Sequence, residues 1–229
     1  MKYYDRPHNR LVFINEKATP EFWDEHWEKD NCRESIITGK NDRFIINTTK
    51  KYLSSGRILE GGCGMGGKVY ALHHHGYDAF GVDFAIKTIQ KIHISVPELK
   101  VFPADVMHLP FSSSTFDGYW SLGVIEHFYD GYDAIANEMG RVLKEGGYLF
   151  LTFPYMSPLR RFKAKLGLYD LWHQSHYSRS FYQFALEKNS VIKKFESVGF
   201  ELVEVRSHSG LKGLKDEITI LRPLLQYIY

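Results

Sequence analysis

The sequence has little of what marks secreted, membrane-spanning or nucleic-acid-binding proteins. Its 229 residues include only two cysteines, Cys32 and Cys63, too few for a disulfide framework or a zinc site. No run approaches the roughly eighteen apolar residues of a membrane-spanning helix, and the N-terminus lacks the apolar segment of a signal peptide. The formal net charge of +2 gives no electrostatic case for nucleic acid. We therefore expect a cytoplasmic globular protein with no nucleic-acid partner and no transmembrane segment.

What the sequence does contain is an alternation of short apolar segments with segments of helical period. This alternation predicts an α/β fold, a doubly wound and mainly parallel sheet with helices on both faces. We predict an N-terminal helical lid over 1–56 and a main domain over 57–229, with a substrate-side insertion at 154–180. A helix is expected over 180–197, and the predicted strands are 57–61, 79–83, 100–104, 118–122, 148–153 and 200–205.

Three glycines, Gly62, Gly64 and Gly66, follow the first predicted strand and precede a helix. Glycine lets a ligand approach the backbone closely, because it has no side chain to collide with it. The helix N-terminus adds partial positive charge. Because Gly62, Gly64 and Gly67 also fit the G-x-G-x-x-G pattern of dinucleotide enzymes, the loop alone does not distinguish between nucleotide cofactors.

Carboxylates near the ends of successive predicted strands give further information about the ligand. Asp83 ends the second strand, where it can accept hydrogen bonds from both hydroxyls of a ribose. Asp105 follows the third strand, where it can accept from an adenine amino group, and Glu60 lies before the loop, where it can hold water or a ligand ammonium. Each acid alone is also compatible with a strand-end residue that faces water. Together they indicate a ligand, since open parallel sheets bind ligands at the carboxyl ends of their strands.

These segments resemble the motifs of class I S-adenosylmethionine (SAM)-dependent methyltransferases. Residues 60–66 (EGGCGMG) are similar to the family's E-x-G-x-G-x-G motif, and Asp83 and Asp105 match its ribose-side and adenine-side acids. Residues 109–111 and 116–117 resemble the stretch before its fourth strand, and 143–147 (LKEGG) resembles the turn before its fifth. The resemblance implies a Rossmann-like sheet of seven strands in the order 3-2-1-4-5-7-6. No seventh strand is evident after residue 205, so we expect that strand to be irregular or the chain to be cut short.

The resemblance also implies SAM as the cofactor and assigns residues to it. These residues lie in the glycine loop, at the strand ends and in the N-terminal segment. The predicted cofactor-binding residues are Glu60, Gly62, Cys63, Gly64, Gly66, Asp83, Phe84, Asp105, Val106, Leu122, Trp23 and Trp27. No metal is predicted, because no histidine pair has convincing metal-ligand spacing with acids.

Trp23 and Trp27 share one face of a predicted helix that begins at Thr19 and Pro20. That face either fixes the helix to the core or covers the cofactor, where an aromatic ring beside the sulfonium is favoured by cation–π attraction. Residues 22–27 also resemble the lid helix of some small-molecule methyltransferases.

His127 follows the fourth predicted strand, in a loop expected near the methyl group. Its ordinary pKa near neutrality makes it the candidate general base, and the alternative is that it only hydrogen-bonds the cofactor or a loop carbonyl. Four residues of the insertion are candidate substrate contacts: Tyr155, His173, His176 and Tyr177.

The predicted function is methyl transfer from SAM to a small-molecule acceptor. O-methylation is slightly favoured, because a base matters only when the acceptor has a proton to lose, as a hydroxyl does. The alternatives are a SAM-binding protein without transferase activity, an NAD-dependent oxidoreductase, and an enzyme that uses SAM for aminopropyl transfer. A basic run is interpreted as a solvated helix face, with an anionic substrate group or a membrane surface as the other interpretations; it comprises Arg160, Arg161, Lys163 and Lys165.

Overall fold

A computed structural model describes residues 1–28, 31–173, 180–207 and 217. Its centre is a parallel sheet of five strands in the spatial order β5-β4-β3-β6-β7. The order corresponds to 3-2-1-4-5 of the expected sheet, which confirms the predicted α/β fold class. The strands are β3 (Arg57–Gly61), β4 (Asp78–Asp83), β5 (Val101–Pro103), β6 (Phe116–Leu122) and β7 (Leu143–Thr152).

Helices cover both faces of this sheet. One face packs against α2 (Cys32–Thr38), α3 (Arg43–Tyr52), α4 (Gly67–His74) and α5 (Ile86–Ser95). The other packs against α6 (Asp133–Val142) and α8 (Lys188–Ser197). Burial of the apolar stripe of each helix supplies the main stabilisation of such a layered fold.

A second sheet, which the sequence did not predict, lies on the α6 and α8 side. It has four strands in the order β8-β1-β2-β9, and the β1–β2 and β2–β9 pairs are antiparallel. Val12 and Phe184 join it to the core shared with α6 and α8. The strands are β1 (Lys2–Asp5), β2 (Arg10–Ile14), β8 (Asp170–Leu171) and β9 (Phe181–Ala185).

This sheet corrects two predictions. The start of the predicted helical lid is a β-hairpin, and the helix predicted over 180–197 begins only after β9. The hairpin follows from the aromatic and branched residues of 2–5 and 10–14, which favour strands, and from Asn9, whose φ of 47° closes the turn. The division into a lid over 1–56 and a main domain over 57–229 stays a prediction.

The strand predicted over 200–205 does not form. Residues 201–207 are exposed and belong to no helix or strand. Alternating apolar residues predict a strand, but a strand also needs a neighbour that accepts its hydrogen bonds. Within the described ranges this segment pairs with none. We also expected the seventh strand to be irregular or the chain to be cut short. That expectation concerns residues after 207, which lie outside the described residues except for Glu217.

Candidate active site at the carboxyl edge of the parallel sheet

The glycine loop runs from the end of β3 to the start of α4. The backbone N–H groups of Gly62 and Cys63 both donate to the Val82 carbonyl, at 2.8 and 2.9 Å, which fixes the loop across the ends of β3 and β4. Gly62, Gly64 and Gly66 have φ values of 75°, 49° and 73°. Glycine adopts this left-handed region at no steric cost, which explains the residue type at these positions.

The loop is also packed too closely for side chains. A Cβ at Gly62 would lie 2.5 Å from Val124 Cγ2, and one at Gly66 would lie 2.9 Å from Leu99 Cδ2. Cys63 is buried, and its thiol packs towards Gly81, where burial raises the pKa of the thiol. A ligand could therefore contact Cys63 only through its backbone.

Asp83 lies at the end of β4 and holds the loop to the following helix. Its two carboxylate oxygens accept from the backbone N–H groups of Gly64 at 2.8 Å and Ala85 at 2.9 Å. The side chain is buried, and desolvation raises its pKa while these hydrogen bonds oppose the rise. Each oxygen keeps a second lone pair for a further donor.

Asp105 lies beside Asp83 on the neighbouring strand end. The Ala104 N–H donates to the Asp83 carbonyl at 2.9 Å, which brings the two acids to the same edge. The Asp105 side chain is 44% exposed and accepts from the Met107 N–H at 2.8 Å. Val106, which follows Asp105, is buried, and Phe84, which follows Asp83, is half-buried. Leu122 ends β6 at the same edge of the sheet.

Glu60 is buried within β3, and no described residue donates a hydrogen bond to its Oε2. Burial raises its pKa to about 8, and the positive charge of Lys68 partly opposes this rise. An unpartnered buried carboxyl costs free energy unless a ligand or a proton compensates it. Three further buried oxygens share this state, and sequence reasoning missed all of them: Tyr119 Oη, Ser121 Oγ and one oxygen of Glu126.

The helix α1 (Pro20–Glu28) lies over this edge and begins where the sequence predicts. The Thr19 hydroxyl accepts from the Phe22 N–H at 3.2 Å. Trp23 and Trp27 are stacked with ring centroids 6.3 Å apart. Trp27 covers the loop, since a Cβ at Gly64 would lie 3.2 Å from its ring. Trp23 meets the His127 ring edge-on at 5.5 Å.

Asp24 fixes α1 to α5, a contact that sequence reasoning missed. Its carboxylate accepts from the Thr88 N–H at 2.8 Å and the Thr88 hydroxyl at 2.9 Å. Lys91 donates in return to the Glu28 carbonyl at 2.9 Å, near the C-terminus of α1. An acid at one helix N-terminus and a cation at the other helix's C-terminus are both favourable.

His127 lies in the single turn Ile125–His127 that follows β6. Its Nδ1 is 2.7 Å from the Tyr182 carbonyl of β9. Because a carbonyl can only accept, Nδ1 carries the proton of the neutral ring and Nε2 is left with a lone pair. Burial lowers the pKa of His127, which keeps the ring neutral near pH 7.

Two of the four predicted substrate contacts of the insertion, Tyr155 and His173, lie within the described residues. Tyr155 forms an isolated bridge with Leu186, and its hydroxyl lies 3.5 Å from Ser207 Oγ. His173 is exposed. His176 and Tyr177 lie outside the described residues.

The described ranges contain no cluster of three or more histidine, cysteine, aspartate or glutamate side chains that could hold a metal ion. No helix in them has the length and apolar character needed to cross a bilayer.

Comparison with known proteins relates the central sheet to methyltransferase domains. Residues 59–151 match the family model described as a methyltransferase domain. Over 169 residues the chain is 29% identical to malonyl-[acyl-carrier protein] O-methyltransferase of Herminiimonas arsenicoxydans, with 70% of this chain and 61% of that protein covered. Over 106 residues it is 36% identical to phthiotriol/phenolphthiotriol dimycocerosates methyltransferase of Mycobacterium leprae, covering 44% of this chain and 38% of that protein. The chain thus spans less than two thirds of the length of these curated relatives.

Solved structures share the fold. A protein from Pyrococcus horikoshii OT3 superposes with a TM-score of 0.57 at 21% identity, covering 81% of this chain and 94% of that one. Other matching structures are described as SAM-dependent methyltransferases. The sheet order and the glycine loop of this chain agree with its match to the methyltransferase-domain model.

Proposed function

We propose that this chain, which carries a class I SAM-dependent methyltransferase domain, methylates the hydroxyl group of a small aromatic or apolar acceptor. The observation that carries the proposal is the hydrogen bond from His127 Nδ1 to the Tyr182 carbonyl, at 2.7 Å. It leaves Nε2 able to take a proton beside the cofactor edge. A carboxylate acceptor needs no such base, whereas a hydroxyl does.

The carboxyl edge fits SAM, the cofactor of this family. The glycine loop offers backbone where a side chain would collide, Asp83 offers free lone pairs to a ribose, and Asp105 is open enough to accept from an adenine amino group. Glu60 and Asp83 are buried acids with raised pKa values, so a cationic ligand would stabilise their ionised forms. Trp27 would supply an aromatic face towards a sulfonium. When bound, SAM supplies a methyl group that is already activated for transfer.

The chain's own residues then have three tasks. Trp23, Trp27 and the rest of α1 exclude water from the edge, which strengthens electrostatic interactions within it. The site aligns the acceptor oxygen with the methyl group, which is the main contribution to a displacement reaction. His127 Nε2 accepts the proton that the hydroxyl loses.

The surroundings of His127 favour a flat or apolar acceptor. Its ring meets Trp23 edge-on at 5.5 Å and Tyr182 at 5.0 Å. Phe22 contacts Tyr182 at 5.9 Å, so aromatic rings enclose the base on two sides. Aromatic rings pack edge-to-face or offset with further rings, which suits a phenol better than a sugar.

The test is methyl transfer from labelled SAM to a panel of phenols, aliphatic alcohols, amines and carboxylic acids. The native chain should methylate phenols, and kcat/KM should rise with pH to a plateau as His127 loses its proton. His127→Ala should lower kcat by about 10²–10⁴-fold and remove that pH step, with SAM affinity unchanged.

His73→Ala is the matched control, because His73 is exposed on α4, where the same substitution removes no proposed base. It should keep the native rate and pH profile. Full turnover of His127→Ala, or activity confined to amines or carboxylates, would contradict the proposal.

A further inference from the structure

The outer face of α7 (Pro158–Lys165) carries apolar side chains into solvent. Phe162 is 59% exposed, and Leu166, the C-cap residue four positions later, is 58% exposed. The Leu166 N–H donates to the Phe162 carbonyl at 3.1 Å, which places the two side chains on the same side. Leu168, in the turn that follows, is 60% exposed. We call these three residues the apolar ridge. Large apolar side chains grouped on a surface mark an interaction site more often than scattered ones do.

A basic groove lies beside the ridge. Its volume is about 460 Å³, and it is lined by Tyr4, Arg6, Asn9, Arg161, Ala164 and Lys165. Leu171 extends the apolar surface along it, because Leu171 is the register partner of Tyr4 and is 41% exposed. The groove and the ridge adjoin along α7, because the groove residues Arg161 and Lys165 are sequence neighbours of Phe162 and Leu166.

The basic run of α7 is divided between two faces. Arg160 and Lys163 turn inwards to the carboxylate of Glu217, at 2.9 and 3.0 Å. Arg161 and Lys165 turn outwards to the groove and, being four residues apart, alternate with Phe162 and Leu166. The outward face is therefore not a uniformly polar helix face in contact with water.

The cations of the groove are largely uncompensated. Arg161 makes one ion pair with Glu187, at 3.0 Å, and keeps further N–H donors. Arg6 and Lys165 have no carboxylate partner within the part of the chain that the structure describes. Since the whole chain has a formal net charge of only +2, this positive surface is a local feature.

We propose that the basic groove and the apolar ridge form a docking surface for an anionic phospholipid bilayer. Arg6, Arg161 and Lys165 would face the phosphate groups, and Phe162, Leu166 and Leu168 would enter the boundary with the acyl chains. Cations beside exposed aromatic and aliphatic residues are the composition that binds anionic interfaces. A nucleic acid would bind the cations but would leave the apolar ridge exposed to water. The proposal does not depend on methyl transfer.

The test is co-sedimentation of the full chain with vesicles of phosphatidylcholine alone or with added phosphatidylglycerol. Binding should require phosphatidylglycerol and weaken as salt is added, because ions screen the attraction. The double variant Arg6→Glu/Lys165→Glu should lower the partition coefficient by about 25-fold or more, since each basic residue contributes about fivefold. Phe162→Ser/Leu166→Ser should lower it by about tenfold.

Two control variants match the chemistry elsewhere on the surface. Lys50→Glu reverses a charge in another basic groove, and Ile94→Ser removes an apolar side chain that is 83% exposed. Both should bind within about twofold of the native chain. The proposal is overturned if the native chain fails to bind phosphatidylglycerol vesicles, if the controls lose as much binding as the variants, or if inorganic phosphate at matched ionic strength releases the protein.

Discussion

Asp24 of α1 accepts three hydrogen bonds from the first turn of α5: from the Thr88 N–H at 2.8 Å, the Thr88 hydroxyl at 2.9 Å and the Lys87 N–H at 3.4 Å. The same helix carries Trp23 and Trp27 over the candidate site. Asp24 therefore sets how firmly α1 covers the edge where the cofactor is proposed to bind.

Replacing Asp24 should loosen that cover. Asp24→Ala removes an interaction of the helix-capping type, which contributes about 1 kcal/mol, so we expect SAM and S-adenosylhomocysteine to dissociate about fivefold faster. Stopped-flow fluorescence of Trp23 and Trp27 measures the rate. Glu25→Ala is the control, because Glu25 is exposed on the same helix. Equal rates in both variants would show that Asp24 does not hold α1 closed.

Alanine substitutions at Gly62 and Gly76 distinguish the stability cost of backbone strain from that of steric crowding. Gly62 and Gly76 both have positive φ, 75° and 90°, but a Cβ would collide with Val124 only at Gly62, and nothing lies within 4 Å at Gly76. Gly76→Ala should cost about 1 kcal/mol of unfolding free energy from strain, and Gly62→Ala should cost clearly more and abolish SAM binding. Urea denaturation and calorimetry measure the two effects. Similar stability losses in both variants would refute the close packing of the loop.

Buried carboxyls make stability depend on pH in a definite direction. Burial raises the pKa of Glu60 and of Glu126 to about 8, from an ordinary value of 4.5. Between these values the folded chain holds protons that the unfolded chain releases, so the free energy of unfolding falls as pH rises. Thermal melts from about pH 5 to about pH 8 should show this fall, and Glu60→Gln/Glu126→Gln should reduce it.

Glu196→Gln, at an exposed carboxyl of α8, should leave the slope of that fall unchanged. The same physics predicts that Glu60→Gln stabilises the ligand-free chain at high pH and weakens SAM binding. An unaltered slope in the double variant would mean that these carboxyls ionise freely in the folded state.

Glu217 and Glu204 have similar partners but different burial. Glu217 is bound by Lys2, Arg160, Lys163 and Tyr169, and its side chain is 1% exposed. Glu204 is bound by Lys51, Arg206 and Tyr52 at the surface. Glu217→Gln should cost about 3–5 kcal/mol, because it leaves the buried Arg160 and two partly buried lysines uncompensated, and Glu204→Gln should change stability much less.

These partners lower the pKa of Glu217 to about 2. Its contribution to stability is therefore present above the ordinary pKa of 4.5 and is lost as the pH falls towards 2. Urea titrations at about pH 7 and about pH 3 measure both effects. A Glu217→Gln variant as stable as Glu204→Gln at pH 7 would show that the cluster does not stabilise the fold.

The part of the site that the sequence predicts is the part encoded locally. Asp83 ends its strand, and the glycine loop and Asp105 follow theirs within two residues, so strand patterning places them at one edge. The start of α1 is likewise predicted by Thr19, which caps its own helix. These signals need only a few neighbouring residues.

What the sequence does not predict depends on pairing between distant segments. Asp24 and Thr88 are 64 residues apart, and nothing in either segment indicates the contact. His127 is oriented by the carbonyl of Tyr182, in a strand whose residues also fit a helical pattern. That strand forms because β2, near the N-terminus, pairs with it. The tertiary partner, rather than local propensity, decides such elements.

The most direct test of the account is calorimetric titration of the full chain with SAM and with S-adenosylhomocysteine, beside Asp83→Ala and Asp78→Ala. Asp83 and Asp78 lie at opposite ends of β4, and only Asp83 reaches the carboxyl edge. The account predicts micromolar binding by the native chain and by Asp78→Ala, with binding lost in Asp83→Ala. Absence of binding by the native chain, or unchanged binding by Asp83→Ala, would contradict it.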